Sequence, residues 1–125
     1  SYGASVEWMY NYMAGIKSDE AAPGYKHFFL QPTIDTQGRV DSVDGTYKSV
    51  YGMIESAWTS AEGVIKTYKA VVPANTSATL YLPLGAEQAG ALELPEGAVY
   101  AGQEERNGAE CAKFELVAGT YEFVF

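Results

Sequence analysis

The chain has a single cysteine, Cys111, and a single histidine, His27. One thiol excludes an internal disulfide, and one thiol with one imidazole excludes a structural Cys/His zinc site, which takes four ligands. Basic residues are half as numerous as acidic ones, eight against sixteen, for a formal net charge of −8. The eight are Lys17, Lys26, Arg39, Lys48, Lys66, Lys69, Arg106 and Lys113, spread singly with no patch or run. That excludes nucleic acid as a partner, since such binding rests on clustered Lys and Arg neutralising phosphates. An anionic membrane surface is disfavoured by the same count. No apolar run reaches membrane-spanning length, no signal-peptide pattern is present, and neither Gly-x-Gly-x-x-Gly nor a P-loop occurs. Nothing calls for a cofactor or a metal. Asp35-Thr-Gln-Gly-Arg39 and Asp41-Ser-Val-Asp44-Gly45 put carboxylates on turns, where calcium takes its ligands, but neither follows a calcium-loop pattern and a solvated turn is the ordinary reading.

What is present is a folding composition. An apolar fraction of 47% with 19% charged residues is that of a globular chain, and 125 residues make one domain. Ten tyrosines favour strands and half-wet surfaces, because the ring buries while the hydroxyl stays hydrogen-bonded.

Residues 1–16 read as a helix, running from about Ala4 to Ala14 and ended by Gly15, with Ile16 folding back onto Tyr10. Val6, Met9, Met13 and Ile16 form one apolar stripe, and Trp8 and Tyr12 form another. A helix apolar over most of its circumference is buried on several sides, so this one is expected to have lost neighbours and to belong to a larger helical body. Residues 17–24, polar and ending in Pro23-Gly24, read as a linker. Residues 25–125 read as strands: Tyr25–Gln31, Thr46–Tyr51, Met53–Thr59, Val64–Val72 and Ser77–Pro83, with Pro73–Thr76 as a turn. A short strand near Ala91–Leu94, another over Ala98–Gly102, a charged loop at Gln103–Ala109 and a tight final hairpin around Ala118-Gly119 complete the reading. The fold class is mainly β: an antiparallel, jelly-roll-like β-sandwich of seven or eight short strands, preceded by one N-terminal α-helix.

Catalytic constellations are sparse. His27 lies in an aromatic strand with no serine or cysteine motif beside it, and reads as structural or interfacial. Glu7, Glu104 and Glu105 are the carboxylates to weigh for glycoside hydrolysis, which needs two across a sugar-sized gap; surface solubility accounts for all three. Trp58, Tyr47, Tyr51, Tyr68 and Tyr81 are candidates for stacking on sugar rings, Trp58 and Tyr81 foremost. Trp58 shares a face with Ile54, which favours the core for it. Asn75-Thr76-Ser77 fits the N-glycosylation sequon, relevant only in a eukaryotic secretory setting.

Taken in order, Tyr2-Gly-Ala4, Trp8-Met-Tyr10, Ala14-Gly-Ile16, Ala22-Pro-Gly-Tyr-Lys-His27 and Pro32, then Tyr51-Gly52 before Trp58 and Val72-Pro-Ala-Asn-Thr-Ser-Ala-Thr-Leu-Tyr-Leu-Pro83, resemble the C-terminal junction of bacterial α-L-rhamnosidases of glycoside hydrolase family seventy-eight. The likeness covers residues 1–83 well and the remainder loosely. It implies that residues 1–16 are the last helix of an (α/α)₆ catalytic barrel and that the rest is the β-sandwich behind it. The inverting acid and base of that family lie upstream in the barrel, so no catalytic residue carries onto this chain, and the chain alone is expected to be inactive. Trp8, Tyr12, Met13, Tyr25 and His27 would then be domain-interface residues, the missing barrel the partner, and self-association through the exposed helix the consequence of its absence. An autonomous carbohydrate-binding module is the rival reading. A glycan-degrading parent implies an extracytoplasmic site, periplasmic or secreted, which the chain itself does not specify.

Overall fold

The computed structural model describes residues 11–125. Within them the helix expected over the opening segment is seen as its end, residues 11–14, closed by the Gly15 amide donating to the Asn11 carbonyl at 3.0 Å. Gly15 takes the left-handed conformation (φ 72°) that was expected to stop the helix. The contact of Ile16 with Tyr10 lies outside the described residues; Ile16 instead opens a strand.

Seven strands follow: β1 (Ile16–Ser18), β2 (His27–Leu30), β3 (Ser42–Ser49), β4 (Gly52–Ala61), β5 (Val64–Leu82), β6 (Ala98–Arg106) and β7 (Ala109–Val124). The stretch expected as a linker is therefore partly sheet, because Ile16, Lys17 and Ser18 pair with Leu30, Phe29 and Phe28. A 3-10 turn, Pro23–Tyr25, leads into β2. The β3–β4 hairpin turns through Val50 and Tyr51, inside the strand expected to reach Tyr51, and the β4–β5 hairpin turns in the gap expected between Met53–Thr59 and Val64–Val72, where Glu62 and Gly63 both carry the positive φ of a two-residue hairpin turn.

Three expected breaks are absent. Pro73–Thr76 is no turn but an irregularity within the 19-residue strand β5, between the Val72↔Gly119 and Ser77↔Val117 pairs. Ala118-Gly119 is no hairpin but an interior point of the 16-residue strand β7. Gln103–Arg106 is no loop but the second half of β6, which turns at Asn107-Gly108. The strand expected near Ala91–Leu94 is replaced by a short helix, α1 (Ala86–Gly90), and coil.

These long strands explain the architecture. The first half of β5 pairs with β4, and its second half pairs in parallel with β2, while β7 accompanies it throughout. The neighbour of β5 thus changes at Pro73–Thr76, where Pro73 has no amide to donate and Asn75 has φ 66°. One continuous mixed sheet results, antiparallel but for β2 and β5, with β1-β2-β5-β4-β3 along its main path and β7 and β6 off it. Folded on itself, it has the form of a β-sandwich enclosing one core. Ile54, Trp58, Tyr68, Ala70, Tyr121 and Phe123 from one half meet Phe28, Leu30, Leu80, Leu82, Phe114 and Leu116 from the other.

Candidate functional site

The arrangement with most bearing on function is the joint between residues 13–16 and the sheet. Ala14 is buried against Gly45 of β3, so closely that a Cβ at Gly45 would overlap the Ala14 methyl. The Met13 carbonyl accepts from the Trp58 indole (3.0 Å) and the Thr33 amide (2.9 Å). The Ala14 carbonyl accepts from the Ser56 hydroxyl at 2.7 Å, which also meets the Tyr68 hydroxyl at 2.7 Å. The Gly15 carbonyl accepts from the Gln31 amide at 2.9 Å. Burial raises the Tyr68 hydroxyl well above its ordinary pKa, so it is a neutral hydrogen-bonding group at any physiological pH. The last carbonyls of a helix have no partners within the helix; here the β-sheet supplies them. Local pattern does not announce this joint, because its side-chain donors Ser56 and Trp58 lie 42 and 45 residues from their acceptors.

Of the expected interface residues, Tyr12, Met13 and Tyr25 lie beside it. Trp8 lies outside the described residues. Tyr12 is exposed, and Met13 is half-buried against the core. Tyr25, in a left-handed backbone conformation (φ 67°), stacks on Tyr47 with ring centroids 4.4 Å apart. Burial, and then its hydrogen bond with Tyr47, push the Tyr25 hydroxyl above its usual range. His27 is on the other face of the sheet. Its Nδ1 meets Ser77 Oγ at 2.6 Å and its Nε2 meets Thr79 Oγ1 at 2.9 Å, while Thr79 donates to Glu115 at 2.6 Å. Because the Thr79 proton goes to a carboxylate, the Thr79 oxygen accepts from Nε2–H, and the neutral ring is left with Nδ1 to accept from Ser77. The network ties β2, β5 and β7 together.

The foremost sugar-stacking candidates are unavailable. Trp58 is 1% exposed and Tyr81 4%. Trp58 faces the core, and Tyr81 is covered on the outer face by the Arg106 guanidinium, 4.3 Å from its ring centroid. Tyr68 is buried too, whereas Tyr47 and Tyr51 are 43% and 39% exposed. Tyr47 borders a cleft of about 440 Å³ lined by Ser18, Asp19, Glu20, Pro23, Gly24, Tyr25, Lys48, Ser49 and Val50. The Lys26 ammonium stands 5.3 Å over Tyr51.

Asp35 is no ion ligand. Its two oxygens accept from the Gln37, Arg39 and Val40 amides and from the Arg39 guanidinium, so the carboxylate organises its own loop. Among the described residues no group of three or more His, Cys, Asp or Glu is placed to hold a metal. Glu104 pairs with Arg106 and Lys113, and Glu7 lies outside the described residues. One carboxyl pair was not foreseen: Asp44 and Glu55, on the outer face of β3 and β4. Their shared hydrogen bond raises Asp44 and lowers Glu55, which also pairs with Lys69 at 3.3 Å. Direct contact leaves no room for a sugar or a water between them, as glycoside hydrolysis requires.

A β-sandwich that clamps the end of a helix, and whose polar side chains are turned to holding it and its own loops, defines an accessory domain. The chain belongs to the family of bacterial α-L-rhamnosidase C-terminal domains, whose profile matches residues 15–107. It is 28% identical over 123 residues to an α-L-rhamnosidase of Streptomyces avermitilis and 32% identical over 83 residues to one of Formosa agariphila. Those alignments take in 98% and 66% of this chain but only 11% and 8% of the relatives, so the chain spans about a tenth of their length. The crystal structure of the Streptomyces avermitilis α-L-rhamnosidase complexed with L-rhamnose superposes over 99% of this chain and 11% of its own, with a TM-score of 0.73 and 27% identity. The α-L-rhamnosidase from Dictyoglumus thermophilum shares the fold over 98% of this chain and 13% of its own, at a TM-score of 0.63 and 19% identity.

Proposed function

We propose that this chain works as the non-catalytic C-terminal domain of an α-L-rhamnosidase that removes terminal α-L-rhamnose from glycans, and that its task is to hold the preceding helix in place. The joint carries the reading: the carbonyls of Met13 and Ala14 are taken by Trp58 and Ser56 of β4, and that of Gly15 by the Gln31 amide just past β2. A helix fixed this way transmits its orientation to whatever body it belongs to. To the seam with that body we assign Tyr12, Met13 and Tyr25 on the entry side and His27 on the outer face.

Two measurements test this. The 125-residue chain should release no sugar from a chromogenic α-L-rhamnoside, whereas the polypeptide that carries it in full should; turnover by the short chain overturns the proposal. In the full polypeptide, Ser56→Ala, which removes the hydroxyl donor to Ala14 at little change of volume, should lower the temperature of inactivation while leaving kcat/KM at low temperature unchanged. An unaltered inactivation temperature would mean that the joint does not steady the catalytic region.

A further inference from the structure

The described residues include three tight β-hairpins, and two of their tips have ordinary turn chemistry. Glu62-Gly63 and Asn107-Gly108 each join a polar residue to a glycine, and all four residues have the positive φ that a two-residue loop favours. The third tip, Val50-Tyr51 between the paired Ser49 and Gly52, has neither feature. A β-branched and an aromatic side chain belong to strands and packed surfaces, not to turns. Yet Val50 is 86% exposed, and Tyr51, Tyr47 and Met53 are exposed with it. Local turn chemistry does not ask for these residues, so their reason lies in what meets the tip.

The tip is also held in shape. The Ser49 hydroxyl donates to the Gly52 carbonyl at 2.7 Å and accepts from the Tyr51 amide at 3.2 Å. The Lys26 ammonium stands 5.3 Å over the Tyr51 ring, and Gly24 lies against both Val50 and Tyr51. Apolar side chains fixed before contact lose little freedom when they are covered. The position of the tip matters as much. Tyr47, three residues before Val50, lines one cleft with Asn11 and Ala14, where the opening helix arrives. The polar Glu62-Gly63 tip is at the opposite end of β4. The apolar tip is thus on the side of the sheet from which the chain enters.

We propose that the Val50-Tyr51 tip, flanked by Tyr47 and Met53, seats in an apolar recess of the catalytic region that precedes this chain in the same polypeptide. This rests on the accessory reading and adds to it a second point of attachment. The occupant follows from continuity with the joint: residues 11–14 bring the preceding body to Gly45, and the tip is five residues further along β3. That is roughly 17 Å at strand spacing. The chain spans about a tenth of its relatives' length, so the polypeptide has a far larger body to cover the tip. One joint leaves a domain free to swivel about it; two points held this far apart fix its orientation.

The test uses the full polypeptide. Tyr51→p-azidophenylalanine places a photo-cross-linker on the tip, and illumination should join it to peptides of the catalytic region of the same molecule, identified by mass spectrometry. Cross-links to a second copy, or only to peptides of this 125-residue stretch, would overturn the proposal. An independent arm compares Val50→Cys with Asn107→Cys, at the polar β6–β7 tip, for reaction with a water-soluble maleimide. Reaction follows the exposure of the thiol, so the first should be labelled more slowly by about tenfold or more. Equal rates, or protection at position 50 that disappears on dilution, would overturn the proposal. A freely reactive position 50 in a polypeptide whose inactivation temperature still falls with Ser56→Ala would reject the docked tip and leave the accessory role standing.

Discussion

Phe114 and Phe123 stand nine residues apart on the same strand, yet their ring centroids are 5.6 Å from each other. A straight strand would separate the two residues by about 30 Å. Strand β7 therefore bends sharply between them, and the bend brings the two halves of the sheet face to face around one core. Gly119 sits in the bend with φ 154°, a conformation that disfavours side-chain-bearing residues.

Gly119→Ala should accordingly destabilise the domain by about 1–3 kcal/mol, the usual cost of a strained backbone position. Gly90→Ala, where no positive φ is required and an added Cβ meets open space, is the control and should be near neutral. Urea unfolding of the two variants decides the matter; equal midpoints would refute it.

Ala14 and Gly45 should be energetically coupled. Gly45→Ala forces two methyl groups into one space and should cost about 1–3 kcal/mol through overpacking. Combined with Ala14→Gly, which vacates that space, part of the loss should return. The cycle should show a coupling of about 0.5–3 kcal/mol, as expected of residues in contact. Additive effects would mean that residues 13–16 do not seat on β3.

The hydrogen bond from the Arg39 guanidinium, with those from the Gln37 and Val40 amides, holds the Asp35 carboxyl below the ordinary value of about 3.9. A depressed pKa in the folded state contributes stability that is full above the unfolded value and is lost as pH falls through the folded one. Asp35→Asn should lower stability at neutral pH and flatten its decline below about pH 4. Unfolding curves across that acid range measure both.

Asp44 behaves in the opposite sense. Its hydrogen bond with Glu55, then burial and the neighbouring charge, raise its folded pKa, so the folded state retains a proton that the unfolded state gives up. Its contribution to stability falls as pH rises from the unfolded pKa through the folded one. Asp44→Asn donates to Glu55 without needing a proton, and should make the domain more stable at pH 7 with a shallower dependence as pH rises above the ordinary carboxyl value of about 3.9. A less stable variant at pH 7 would contradict the shared-proton arrangement.

The His27 network fixes a tautomer. With Thr79 donating to Glu115, the neutral imidazole should carry its proton on Nε2. Long-range proton–nitrogen spectra at alkaline pH should show that form, and Thr79→Val should release the preference. A predominant Nδ1–H ring would mean that Ser77 is an acceptor and the network runs the other way.

Much of the chain was legible because local pattern and final structure agree. Ala78, Leu80 and Leu82 alternate in sequence and are all buried, as are Ile54 and Trp58. Gly15 ends the opening helix, and the gap left between Met53–Thr59 and Val64–Val72 holds the Glu62-Gly63 turn. Where the reading went astray, two structures share one local signal. Ala118-Gly119 between alternating runs is the mark of a hairpin, and equally of a strand that bends and shifts its alternation. Pro73–Thr76 is the same case on β5. The choice between them depends on which neighbours supply hydrogen bonds, and those are 40 or more residues away for Ser77–Leu80 on β2.

The sequence alone determined the class of fold, the main hairpins, the end of the opening helix and the family, because each depends on residues close together or on an ordered series of motifs. Tertiary structure alone decided that β5 and β7 each run unbroken through both halves of the sheet. It also decided that the carbonyls of residues 13–15 are held by Trp58, Ser56 and Gln31, and that Tyr47 stays exposed where Trp58 and Tyr81 do not. Alternation tells which residues share a face of a strand. Only the packing of one half against the other decides which face meets the core and which neighbours cover the one left outside.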